Sequence, residues 1–448
     1  MEQGTLFEIG DASAEVARGG AEPGAPRLRR ADRRQIELRP LDLESLLPPD
    51  HEARAIWALV SRLDLSGFVK DIRSCEGVAG RPATDPAILL TLWLYASSQG
   101  VGSAREVADL CTRHDAYRWI CGGVETNYHT LSDFRVGHGP ALDELFTQVL
   151  GVMAADGLVS LSRVAQDGTR VRASAGAGSF RREERLQQWL VVAREQVVEV
   201  KKLADDPTVS SRERRATERA ARERSERLEQ AVEELKKIQA TKATDEDRRK
   251  VRVSATDPEA RVMKMGDGGF RPAYNVQFAS TTAEKVIVGV DVTNLGSDCN
   301  ETKPMLDQIE QRLGETPEEV LVDGGYAPRQ TVDEFAQEAG RAQVTLYAPV
   351  PAPKDPTRDR YAPRAGDSPE VAAWRERMGT AQAKEIYKER AATAEWVNAL
   401  VKCKQDFELN VRGLRKVKQL AILAALAHNV MRWIALAPTG GGGVWPAG

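Results

Sequence analysis

Apolar residues in the first third of the chain recur at helical spacing. Between LDLESLLPPDHEARAI and LFTQVLGVMAADGL, about residues 41–160, the stretches ARAIWALVSRL, DPAILLTLWLYASSQ and AREVADLCTRH each carry apolar positions at i, i+3 and i+4. Asp85-Pro86 reads as an N-cap followed by proline at the first helical position. The spacing predicts an all-α N-terminal domain. Its short helices, separated at GGVETN and VGHG, fit a DNA-reading helix-turn-helix.

The period changes at SRVAQDGTRVRAS, where Val164, Ala165, the Asp167-Gly168 pair and Val171 read as a strand over 161–171. Strand-like segments return at AYNVQFASTT, KVIVGVDVT, EEVLVDGG and QVTLYAPV, with helical ETKPMLDQIEQRLG and APRQTVDEFAQEAG between the later ones. A long helical stretch closes the chain. This order predicts an α/β domain over 161–180 and 246–436, a mixed five-stranded sheet with flanking helices, its first and fourth strands adjacent. Residues 181–245 interrupt it with charged sequence carrying thin apolar seams: Val197, Val200 and Leu203, then Leu228, Val232 and Leu235. They read as an inserted antiparallel helical hairpin turning at Pro207. Residues 1–40, ending in RLRRADRRQIELRP, lack apolar periodicity and read as a flexible basic arm; 437–448 read as a loose tail.

Composition narrows the chemistry. The 448 residues exceed one ordinary core, and 42% apolar content suits a globular protein. No uninterrupted apolar run of membrane-spanning length occurs, and the acidic start lacks the features of a secretion signal, so a cytoplasmic protein with no membrane partner is expected. Five scattered cysteines without CxxC spacing and five histidines without HxxxH argue against disulfide frameworks and histidine-built metal sites. A metal would fall to carboxylates. The net charge of −3, from 63 basic and 66 acidic residues, hides local basic clusters.

Those carboxylates have a place to meet. Asp323 in LVDGGYAP closes the fourth strand and Asp167 lies within the first, so adjacency would set two like charges side by side. A hard divalent cation relieves that cost in an oxygen-only site. The late helix EIYKERAATAEWVNALVKCK offers Glu385, Glu389 and Glu395 as a third donor. Glu395 and Lys402, seven residues apart, share a face of a regular helix beside the packing residues Trp396, Val397, Leu400 and Val401.

With these motifs assembled, the chain resembles the bacterial insertion-sequence transposases of the DDE type, with an RNase H-like catalytic domain behind a helical N-terminal domain. The resemblance rests on LDLESLLPPDHEARAI, HTLSDFR, VAQDGTRVRAS, DPEARVMK, YNVQ, VLVDGGY, YKERAATAE and RGLRKVKQLAILAALAHNVMRW, in that order. It implies a triad of Asp167, Asp323 and Glu395 holding two Mg²⁺ (or Mn²⁺) ions for strand cleavage and strand transfer in double-stranded DNA. It implies binding to terminal inverted repeats and target DNA by a homodimer or larger synaptic assembly, in the bacterial cytoplasm and on the nucleoid. A structure-selective nuclease of the same fold, and a catalytically idle DNA-binding derivative, are the alternatives. In relatives that form a DNA hairpin, three residues separate the motif's Arg and Glu. Here four separate Arg390 from Glu395, which in an unbroken helix turns Arg390, and with it Tyr387, away from the expected relation to Glu395, while Lys402 keeps its own. Candidate DNA contacts are Arg170 and Arg172 beside Asp167, Tyr387, Arg390 and Lys402, and Arg412, Arg415 and Lys416 further on. In the N-terminal domain they are Arg105, Arg118, Thr130, Ser132 and Arg135.

Overall fold

The structure, a computed structural model, describes residues 42–70, 72–75, 77, 80–202, 210–327, 329–337, 344–355, 357–404 and 409–436. The expected arm (1–40), the tail (437–448), Leu203 and the turn at Pro207 lie outside them. The helical N-terminal region comprises α1 (Glu52–Val60), α2 (Ser66–Val69), α3 (Pro86–Ser98), α4 (Ala104–Arg113), α5 (Asp115–Cys121), α6 (Tyr128–Gly137) and α7 (Gly139–Ala155). Strand β1 (Arg163–Arg172) follows, then β2 (Phe180–Arg181), α8 (Glu183–Lys202), α9 (Ser211–Ala240), α10 (Asp245–Lys250) and β3 (Val253–Ser254). Next come β4 (Arg261–Lys264), β5 (Phe270–Thr281), β6 (Ile287–Thr293), α11 (Thr302–Leu313), β7 (Glu319–Leu321), α12 (Arg329–Gln337) and β8 (Thr345–Tyr347). The chain ends in α13 (Pro369–Gly379), α14 (Ala381–Arg390), α15 (Trp396–Ala399) and α16 (Leu414–Leu436).

Among the described residues, six strands form the main sheet in the order β4-β5-β1-β7-β8, with β6 also on β5. β1 runs antiparallel to β5, Asp167 facing Phe278 and Gly168 facing Gln277, and parallel to β7, Val164 beside Val320. The first and fourth expected strands are therefore neighbours. The expected count of five is corrected to six. β4 and β6 share one edge of β5, pairing with 270–273 and 275–280 respectively, so the sheet is five strands wide. Four residues, RVMK, are too few for a period to announce β4. β5 is buried along almost its whole length, which is why Asn275 and Gln277 lie inside the protein.

The sequence boundary near 160 separates two patterns but not two cores. Asp85 caps α3 by accepting from the Ala87 amide at 2.8 Å, and the buried faces of α3 leave hardly any solvent side. α16, apolar nearly all round, packs on α3, α7 and β6 together and joins helical region and sheet into one hydrophobic core. Leu414–Leu436 has the length and mean composition of a membrane span, yet His428, Asn429 and Arg432 interrupt its apolar run and 72% of its most apolar window is buried inside the protein. Within α16, Asn429 completes the edge of β6 by accepting from the Ile287 amide (2.8 Å) and donating to its carbonyl (2.7 Å).

Beside it, His428 is 2% exposed, its Nε2 2.8 Å from the Lys285 carbonyl, and burial pushes its pKa down to about 4. The unfolded chain then protonates first, so this contribution is whole above the ordinary histidine value and is lost as pH falls toward 4. We expect stability to drop by about 2 kcal/mol between pH 6.5 and 5. Urea midpoints at the two pH values check this, and the difference should shrink in His428→Gln.

The insertion is a helical hairpin: α8 lies along α9, and β2 pairs with β3 at its base. Its seam differs from the expected one on the first helix. Leu186, Leu190 and Ala193 meet Leu228, Ala231, Val232 and Leu235 in a separate apolar cluster, while Val197 and Val200 are only half-buried. The helix rotates to bury its longer leucines. α9 opens with a capping box between Ser210 and Glu213.

Candidate functional site

Asp167 sits mid-strand in β1 with its carboxylate 22% exposed and fully engaged. Oδ1 accepts from its neighbour's amide, Gly168 N (3.0 Å), and from Arg390 Nη2 (3.0 Å); Oδ2 accepts from Asn398 Nδ2 (3.2 Å). Burial raises the Asp167 pKa above the usual carboxylate range; Arg390 and the Gly168 amide pull it down, and the Asp298 and Asp323 carboxylates push it up. Asp323 is exposed, two residues past the end of β7, where Val322 still bonds to Tyr347 of β8. Its own side chain accepts from Gly324 N at 2.5 Å. Tyr387 ties the late helix to this strand end, donating to the Val322 carbonyl at 3.1 Å. Burial lifts its hydroxyl to about 12; Arg390 opposes that and Asp323 and Asp167 add to it. Asp167, Asp323, Tyr387 and Arg390 thus share one electrostatic neighbourhood.

Glu395 is exposed, on the helix whose Arg390 and Asn398 hold Asp167. That helix is not regular. Residues Ala391–Glu395 form a π turn, and Leu400–Lys404 form a second. A π turn accommodates one extra residue, so the additional position between Arg390 and Glu395 is taken up by the wider turn. The rotation expected for an unbroken α-helix is corrected accordingly. Arg390 faces the site; Lys402, exposed, lies within the second π turn, so its relation to Glu395 is no longer that of two α-helical turns.

The donor chemistry suits a hard divalent cation. Asp167 and Asp323 offer only oxygen, and their mutual repulsion is the kind a metal relieves. The third carboxylate is not gathered with them: among the described residues no three His, Cys, Asp or Glu side chains stand together as a metal cage.

The glycines of the site differ in what they allow, and Asp323–Tyr326 close a turn in which the Tyr326 amide donates to the Asp323 carbonyl at 3.0 Å. Gly324 and Gly325 avoid the left-handed backbone, and a Cβ at Gly324 would approach nothing closer than 3.6 Å, so they leave open space beside Asp323. Gly168 is the sterically required one. A Cβ there would lie 2.3 Å from Gln277 Nε2, 2.6 Å from Asp298 Oδ1 and 2.7 Å from Asn275 Oδ1. Asp298 and Asn398 are site residues that sequence reasoning missed; Asp298 lies in the loop LGSDCN, which has no periodicity to single it out.

The expected DNA contacts separate into available and consumed groups. Arg135 is withdrawn by the fold. It is 7% exposed, stacks 4.5 Å from the Trp93 ring, and donates to the Gly102 carbonyl and to Asn410 Oδ1. Arg118 pairs with Asp115 at 3.0 Å, and Arg170 donates to the Gly296 carbonyl. Arg105, which stacks on the exposed Tyr128, and Arg172 are exposed. Thr130 and Ser132 are half-buried on α6, which follows α5 across a turn capped by Asn127. Arg412, whose Nε donates to the Ser174 carbonyl at 3.3 Å, Arg415 and Lys416, all exposed, line an open cleft of about 760 Å³ beside α6 and α9, together with Glu223, Glu226 and Glu259.

A family model described as a transposase domain (DUF772) matches residues 41–136, and one described as a transposase DDE domain matches 238–430. No curated protein and no solved structure matches the chain.

Proposed function

The chain is an insertion-sequence transposase of the DDE type, and from that premise we propose that it cuts and joins the ends of its own element at Asp167, Asp323 and Glu395. The observation that carries the reading is the pair Asp167, within β1, and Asp323, two residues past the end of the adjacent parallel β7, with the Asp323 carboxylate helping to raise the Asp167 pKa. The sheet, with β1 between antiparallel β5 and parallel β7, is consistent with an RNase H-like domain. Two Mg²⁺ or Mn²⁺ ions, held by the triad, would activate the attacking oxygen and stabilise the leaving one.

The chain's own residues have separate tasks in this reading. Asn398 holds Asp167 Oδ2, fixing the carboxylate plane. Tyr387 anchors the helix to the residue just before Asp323, so helix and strand end move as a unit. Arg390, the cation on Asp167, is placed to share its charge with a phosphate. Glu395, exposed at the end of the first π turn, is within the element that would bring the third carboxylate in. Exposed Arg105, Arg172, Arg412, Arg415 and Lys416 bind phosphates and make affinity fall with salt. Terminal inverted repeats are the specific duplex, α5 and α6 their reader, and a homodimer or larger assembly holds two ends.

The test incubates the protein and Mg²⁺ with a labelled duplex carrying the element's end and with a scrambled duplex. Selective nicking at the end supports the reading; equal cutting of both favours a structure-selective nuclease, and no cutting favours an idle DNA-binding derivative.

A further inference from the structure

Behind Asp167, on the opposite face of the sheet, polar side chains of β1 and β5 link to Asp298, in the loop after β6, and to Tyr326, past the end of β7. The pleat turns Gln166, Gly168 and Arg170 to that face. Gln277 of β5 stands directly across from Gly168, and Asn275 across from Arg170. Asp298 Oδ1 accepts from both amides, Asn275 Nδ2 at 2.6 Å and Gln277 Nε2 at 2.8 Å. Gln277 Oε1 in turn accepts from the hydroxyl of Tyr326 at 2.5 Å. Gln277 is wholly buried and Tyr326 is 1% exposed.

The ends of this linkage matter. Gly168 follows Asp167 in sequence, and Tyr326 is three residues beyond Asp323. One side chain, Gln277, therefore lies against Gly168, next to Asp167, and accepts from the side chain of Tyr326, three residues beyond Asp323. Asp298 holds its amide end and crowds Gly168 so closely that a Cβ has no room. Asp298 accepts twice where a neutral apolar residue would leave two buried amides unpaired.

We propose that Asp298 is a positioning residue which, through Gln277 and Tyr326, sets the separation of Asp167 and Asp323. It touches no substrate; it acts on the two strands from behind. The proposal rests on the reading of Asp167 and Asp323 as metal ligands, and groups that orient ligands typically change metal affinity by about 10- to 100-fold when removed.

Mn²⁺ binding to the full chain, followed by the loss of the free-ion paramagnetic resonance signal, tests it without any reaction. Asp298→Ala is expected to weaken binding about tenfold. Asp298→Asn, which keeps an Oδ1 acceptor for both amides, should recover most of that loss. Unchanged Mn²⁺ affinity in Asp298→Ala, or equal weakening in both variants, overturns the proposal. A role in folding alone would lower the melting midpoint and leave affinity unchanged. Should Asp298→Ala not fold, Tyr326→Phe removes only the hydroxyl bond to Gln277, and unchanged affinity there overturns it as well. Asp167→Ala separates the two levels. If it binds Mn²⁺ like the wild type, the metal reading itself falls and the proposal with it. If it alone loses binding, only the positioning role falls.

Discussion

Replacing Asp323 with alanine is expected to lower end cleavage by roughly a thousandfold or more, about 4 kcal/mol of transition-state stabilisation. The side chain is exposed, and its one hydrogen bond is local, to the amide of the next residue. Its removal therefore leaves the core intact, and the melting midpoint should stay within about 0.5 kcal/mol of the wild type. Duplex binding should persist, because the exposed cations proposed to meet phosphate are elsewhere on the chain. Rates of nicking on an end duplex, read beside a binding titration, check both halves. Cleavage by Asp323→Ala at the wild-type rate would remove Asp323 from the catalytic set.

The second large effect is one of stability. Arg135→Ala should destabilise the protein by about 3 kcal/mol, from the lost ring stacking and two charge-assisted hydrogen bonds. Arg135 bridges the helical region to the segment ahead of α16, reaching the Gly102 carbonyl on one side and Asn410 on the other while covering Trp93. Burial lowers its pKa to about 10, so it stays charged at neutral pH. Lysine is a poor substitute, since a single ammonium cannot fork to both acceptors and stack on the indole. Denaturant unfolding measures the loss. A normal unfolding midpoint with weakened DNA binding would instead return Arg135 to the DNA-contacting set.

These two arginine and aspartate cases mark where reading a sequence succeeds and stops. Asp167 and Asp323 were legible because each stands against a strand pattern that is itself legible, and the strand order made them neighbours. Arg135 was misplaced because its position beside Thr130 and Ser132 in sequence says nothing of the Trp93 face it covers. Tyr326, to which no sequence period assigns a role, is a buried hydrogen-bond donor.

By itself the sequence determined the order of helices and strands, the insertion after the first strand, the N-cap of α3 and the placement of Asp167 in the first strand and of Asp323 just past the fourth. All of these are local: they depend on side-chain period or on near neighbours, which the chain states directly. Tertiary structure alone decided that Arg390 reaches Asp167 across 223 residues and Asn398 across 231. It also decided that Asp298 packs behind Gly168, and that a π turn absorbs the extra residue before Glu395. Contacts between distant residues leave no period in the sequence. A π turn is a shift of backbone hydrogen bonds by one residue, which the side chains around it do not record.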